Sequence, residues 1–103
     1  MSYTDIFTAL ADPTRRHIFE GLRLEPKSVG ELAARETVSR PAVSQHLKVL
    51  SDAGLVDVEP RGNRRLYSVR REGLEALRTY LDGFWSDALS AYGAEIVKQI
   101  KTN

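Results

Sequence analysis

The most pointed chemistry in this chain lies in one short stretch. On a helical wheel of about 100° per residue, Pro41, Ala42, Ser44, Gln45, Lys48 and Val49 fall opposite the apolar Val43, Leu47 and Leu50, with Arg40 just ahead of them. A glutamine amide can bond bidentately to adenine, and a serine hydroxyl can donate or accept at several bases. An alanine methyl can meet the methyl of thymine, and Lys48 or Arg40 can reach guanine or a phosphate. A helix so furnished suits the major groove of duplex DNA; the bland alternative is a solvated helix face, which residue types alone do not exclude. His46 lies beside the apolar stripe and reads as a packing or phosphate-contacting residue.

A second group follows at Arg61-Gly62-Asn63-Arg64-Arg65. Three guanidiniums and an amide on a protruding turn would reach a phosphate backbone or an adjacent minor groove; the bland alternative is a solubilising loop. Successive strand side chains point to opposite faces, so only one of Arg64 and Arg65 would face DNA along with Arg61. Arg64, nearer the turn, is the expected one.

Other chemistries lack their residues. The chain has no cysteine, which removes disulfides and thiolate metal ligands. His17 and His46 have no carboxylate or cysteine at i+4 ligand spacing, so neither a metal site nor a cofactor is expected. No nucleophile-base constellation and no phosphate-cradling glycine loop is present, and an enzyme is not expected.

The elements that must position these groups are legible along the chain. Tyr3, Ile6, Phe7 and Leu10 keep helical spacing in a first helix over about Thr4–Ala11, stopped at Asp12-Pro13. Asp12 caps a second helix from Pro13 to about Arg23. Ser28 and Glu31 have the spacing of a capping box for a short third helix. After a turn at Thr37-Val38, Ser39 caps a fourth helix of about fourteen residues that ends at Gly54. From Leu55 the period changes to two, with Val56 and Val58 alternating against Asp57 and Glu59. A Pro60 to Asn63 turn cluster and Leu66 to Val69 complete a β-hairpin. Beyond Arg71 a long helix carries Leu74, Leu77, Leu81, Phe84, Trp85, Ala88, Leu89, Tyr92 and Ile96 on a helical stripe.

The expected fold is therefore mainly α with a small β-hairpin, in α-β(2)-α order with about five helices. Two short helices with a tight turn followed by a hairpin is the order of a winged helix-turn-helix, whose second helix enters the major groove. One domain over 1–103 is expected, with the helix-turn-helix at 28–53, the wing at 55–70, and terminal helices at 1–11 and 71–102 that pair two copies. Tyr3, Ile6, Phe7 and Leu10 with Leu77, Leu81, Phe84, Trp85, Ala88 and Tyr92 are the candidate interface of that homodimer. The alternative is that the last helix folds back over its own domain.

Bulk charge decides little. The net charge is +1, from 15 basic and 14 acidic residues, and it neither demands nor excludes a polyanion. No apolar run of membrane-spanning length and no signal-peptide pattern occurs, so no membrane partner is expected and the cytoplasm is the default compartment.

Leu10-Ala11-Asp12-Pro13-Thr14-Arg15-Arg16-His17-Ile18, Val43-Ser44-Gln45-His46-Leu47-Lys48-Val49-Leu50, Gly54-Leu55-Val56 and the Arg61 to Tyr67 wing together resemble the arsenic-repressor (ArsR) family of bacterial winged-helix regulators, across nearly the whole chain. The resemblance implies a cytoplasmic homodimer, paired through its first and last helices, that binds an inverted repeat over a promoter and blocks transcription. It also implies metal sensing, by cysteines in the first helix of the turn pair or by histidines and carboxylates on the last helix. This chain departs from both patterns. It has Val29-Gly30-Glu31-Leu32-Ala33 at the first place, and Asp82, Asp87 and Glu95 without a histidine at the second. A small-molecule effector, a protein effector or none at all remains open. A winged-helix protein-interaction module and a metal-responsive repressor with a non-cysteine site are the competing readings.

Overall fold

Side-chain caps set where the first four helices begin. The Ser2 hydroxyl accepts from the Asp5 N–H, the Asp12 carboxylate from Arg15 at 2.8 Å, and the Ser39 hydroxyl from Ala42 at 3.3 Å. Ser28 and Glu31 form a full capping box, each side chain accepting from the other's backbone N–H. The computed structural model describes residues 2–93. In order they form α1 (Tyr3–Ala11), α2 (Pro13–Glu20), α3 (Val29–Ala33), α4 (Arg40–Asp52), β1 (Val56–Arg61), β2 (Arg64–Val69) and α5 (Arg71–Tyr92). The expected continuation of the last helix to residue 102, with Glu95 and Ile96, lies outside the described residues.

Five helices and one antiparallel hairpin match the expected architecture, with one boundary corrected. The second helix stops at Glu20 rather than Arg23. Gly21, Leu22 and Arg23 donate to carbonyls three residues back, so the chain tightens into a 3₁₀-like turn.

The core lies where α1, α2, α3 and α4 meet the base of the hairpin. Ile6, Ala9, Ile18, Leu22, Leu32, Val43, Leu47, Leu50, Leu55 and Val56 are buried together. The hairpin register pairs Val56 with Val69, Val58 with Tyr67, Pro60 with Arg65 and Arg61 with Arg64. Its tip is the two-residue turn Gly62-Asn63, tighter than the expected four-residue cluster. Gly62 has φ +62° and Asn63 a negative φ, the sign pattern of a II′ turn. Lys27 exchanges both backbone hydrogen bonds with Tyr67, anchoring the connector before α3 to the outer edge of β2. Together these elements make a winged helix-turn-helix.

Gly73 lets α5 start hard against the end of α4. A Cβ there would stand 2.3 Å from the Gly54 carbonyl oxygen, closer than any side chain tolerates. From residue 78 to 87 no side chain of α5 is buried, although Tyr80 within that stretch still meets Tyr3 and Phe7 of α1.

The caps also carry a pH signature. The backbone N–H of Arg15, and to a lesser degree His46 and Arg15 as charges, hold the Asp12 carboxyl below its ordinary 3.8. Its cap therefore contributes stability above the ordinary 3.8, and that contribution is lost as pH falls through the lowered folded-state value. Asp12→Asn keeps an acceptor but cannot titrate. It should flatten the fall of the thermal midpoint below pH 3.8; an acid limb identical to the wild type would place that sensitivity in other carboxylates.

Candidate nucleic-acid interface

The exposed side of α4 is built by the burial of its other side. Val43, Leu47 and Leu50 are wholly buried, which turns Pro41, Ser44, Gln45 and Lys48 outward and leaves Ala42 half-buried. Arg40 opens the helix, with its guanidinium over Gly30, where an added methyl would stand 3.1 Å from Nη2. A cleft of about 520 Å³ separates α4 from the wing, walled by Ser44, Gln45 and Lys48 on one side and Val58, Arg65 and Tyr67 on the other.

Three expectations change at this surface. Val49 does not stand with the polar residues but lines a crevice against Asp5, Thr8 and Ala9 of α1, because α1 packs across that flank of α4. Val58 is 44% exposed, not tucked inward like Val56, because only the base of the hairpin overlies the core. The third concerns the wing arginines. Arg65, on the Val58 and Tyr67 face, is the one that shares the cleft with α4. Arg64 is turned to α3 instead, donating from Nη2 to Glu31 Oε1 at 2.9 Å. Sequence spacing shows that the two point oppositely but not which face meets α4.

The cations differ in how they are occupied. Lys48 pairs with Asp52 at 3.1 Å, and Arg61 with Glu59 at 3.4 Å. Among the described residues Arg40 and Arg65 have no ion-pair partner. With Asn63, Arg64, Ser28 and Gly30 they line a second groove of about 450 Å³ between the wing tip and the starts of α3 and α4.

His46 faces inward toward a three-helix junction. Its Nδ1 stands 3.4 Å from Arg15 Nη1 and 4.0 Å from Asp12 Oδ2. Arg15 also donates to the carbonyls of Thr8 and Ala9 at the end of α1. A guanidinium only donates, so a hydrogen bond between these two groups uses the tautomer in which Nδ1 is the acceptor. Arg15 thus ties α1, α2 and α4 together, a role sequence reading missed because its partners are scattered along the chain. His17 pairs with Glu36 at 2.6 Å. Among the described residues no group of three or more His, Asp or Glu side chains converges as a metal site would require.

The candidate interface between two copies separates into two sets. Leu81, Phe84, Trp85 and Tyr92 are 52%, 67%, 50% and 70% exposed along α5, with Ala88 half-buried among them. Tyr3 and Phe7 of α1 are also exposed and flank Tyr80, both ring centroids lying 5.1 Å from it. Tyr80 was absent from the sequence expectation, although it sits three residues after Leu77 and four before Phe84. Ile6 is corrected: it is completely buried in the chain's own core. Leu10 and Leu77 also pack against that core. The α1 stripe is wider than one contact, so Ile6 and Ala9 serve the core while Tyr3 and Phe7 meet α5.

Residues 10–59 match the protein family described as a helix-turn-helix domain. The chain is 60% identical over 84 residues to the HTH-type transcriptional regulator Rv2034 of Mycobacterium tuberculosis (strain ATCC 25618 / H37Rv), covering 82% of this chain and 78% of that one. It is 34% identical to the arsenical resistance operon repressor of Staphylococcus xylosus, covering 80% and 82% of the two. The crystal structure of an ArsR family transcriptional regulator superposes with a TM-score of 0.74 at 31% identity, over 81% of this chain and 91% of that one.

Proposed function

The chain belongs to the arsenic-repressor (ArsR) family of winged helix-turn-helix, DNA-binding transcriptional regulators, and from that premise we propose that it represses transcription as a cytoplasmic homodimer seated on an inverted-repeat operator. This family and fold are those of regulators rather than enzymes, and catalysis has no part in the proposal.

In this reading residues 1–103 form one winged-helix domain, α4 lies in the major groove, and the wing reaches the flanking backbone. Ser44 and Gln45 read base edges, with Pro41 and Ala42 beside them. Lys48 leaves Asp52 for DNA, and His46 contributes its Nε2–H from the flank. Arg40, Arg61, Asn63 and Arg65 meet phosphates, and Arg64 is the wing residue already engaged elsewhere. The observation that carries the reading is the cleft in which the outward face of α4 and the unpaired Arg65 stand opposite one another. The exposed apolar side of α5 supports pairing of two copies, since a patch of that kind on a small chain marks an interaction surface.

Selection of bound fragments from randomised duplex DNA tests the proposal at near-physiological salt, where weak phosphate binding is suppressed. An inverted repeat with half-sites one helical turn apart, about 34 Å, is the expected result. Absence of any enriched sequence by folded protein would sink it in favour of a protein-interaction module. On the selected operator, Gln45→Ala should cost roughly 1 to 3 kcal/mol of binding while leaving scrambled duplex unaffected. Equal loss on both duplexes would show that Gln45 reads no base.

A further inference from the structure

The groove at the wing tip contains three guanidiniums in unequal states. Those of Arg40 and Arg65 have no ion-pair partner among the described residues, whereas Arg64 is held by Glu31 at 2.9 Å. Glu31 is a prepared partner. The same Oε1 that receives Arg64 accepts the Ser28 N–H at 3.0 Å, so the capping box has already oriented the carboxylate. Chiefly because of that backbone bond and the Ser28 hydroxyl, with Arg64 and Lys27 adding, its carboxyl lies below the ordinary range and is ionised near neutral pH. Both side chains are about half exposed, 58% for Arg64 and 50% for Glu31, so water and salt keep the pair weak and exchangeable.

We propose that Glu31 is a charge mask on the wing: by holding Arg64 it withholds one of the groove's three guanidiniums from the DNA backbone and limits sequence-independent attraction. The inference rests on the DNA-binding reading above and adds a residue that works against affinity. A backbone phosphate is the fitting occupant because Arg65 walls both this groove and the cleft facing Ser44 and Gln45, so one duplex would span the two. A phosphate entering the groove meets Arg40 and Arg65 directly, but it must displace a carboxylate, and approach that negative charge, to engage Arg64.

Glu31→Gln tests the mask without removing the cap, because glutamine also serves at the third position of a capping box. With an unchanged melting curve, its affinity for random-sequence duplex should rise about two- to fivefold, the worth of an exposed ion pair. The plot of log affinity against log salt should steepen by about 0.9 as one more phosphate contact forms. Arg65→Ala should flatten the same plot by about 0.9, whereas Arg64→Gln alone should leave it nearly unchanged. In the Arg64→Gln background, Glu31→Gln should lose its effect, because the coupled partner is gone. An unchanged slope in Glu31→Gln would overturn the mask. So would an equal affinity gain with and without Arg64, which would make Glu31 merely a distant negative charge. Failure of the wild-type protein to bind any duplex would instead overturn the DNA-binding reading itself.

Discussion

Trp85→Asp is expected to yield a folded monomer that binds a two-half-site operator roughly 10²- to 10⁴-fold more weakly than the wild type, the advantage that linking two binding modules confers. Trp85 is half exposed on a stretch of α5 where no side chain from 78 to 87 is buried, and it is absent from the buried cluster. Replacing it therefore removes little packing within one chain. Between two copies the effect is opposite in kind. Leu81, Phe84 and Tyr92 surround it with apolar surface, and an aspartate buried there would lose hydration without gaining a partner. The ion must stay in water, and the two copies must stay apart. Light scattering on the eluted protein reads the mass, and titration of duplexes carrying one or two half-sites reads the linkage. A monomer with an intact single-site affinity and no two-site gain is the expected pattern. A dimer with unaltered operator binding would place the interface away from α5.

Leu47→Ala should lower the unfolding free energy by roughly 2 to 5 kcal/mol, through the lost transfer energy of the side chain and the cavity left behind. Leu47 is wholly buried in the middle of α4, between Val43 and Leu50 on the inward stripe. Alanine and leucine are both good helix formers, so helix propensity does not offset the cavity. The loss is a large share of the roughly 5 to 15 kcal/mol that holds a domain together. It should appear as a drop of the thermal midpoint of roughly 8 °C or more, by the roughly 4 to 8 °C per kcal/mol that small domains show. Val49→Ala, on the same helix but 38% exposed, is the comparison. It should cost well under half as much; equal losses would mean that the inward face of α4 is not where the helix is held.

The candidate site was readable in the sequence to the extent that it depends on neighbours within one turn. Capping at Asp12, Ser28 and Ser39 is a contact across three residues, so spacing alone placed the starts of α2, α3 and α4. The outward set of Ser44, Gln45 and Lys48 follows from the inward set on a single helix, because one side of a wheel dictates the other. The hairpin followed from the change of period at Leu55, while the positive φ of Gly62 closes it with a two-residue tip, tighter than the Pro60 to Asn63 cluster that the sequence suggests.

Wherever one side chain had two surfaces to choose between, the tertiary structure decided. Ile6 and Phe7 belong to the same apolar stripe, yet Ile6 enters the core and Phe7 meets Tyr80, because α2 and α4 close over one edge of α1 and α5 over the other. Val56 and Val58 alternate identically in sequence, but only the base of the hairpin reaches the core. Glu31 announced a helix cap, while its second partner, Arg64, lies 33 residues away and is brought to it only when the wing folds beside α3. Thus the order of helices, the hairpin and the residue types of the reading face were determined by the chain itself, since they arise from local hydrogen bonds and periodicity. Which arginine faces α4, and which apolar residues remain exposed, were decided by packing between distant elements, whose angles no local pattern encodes.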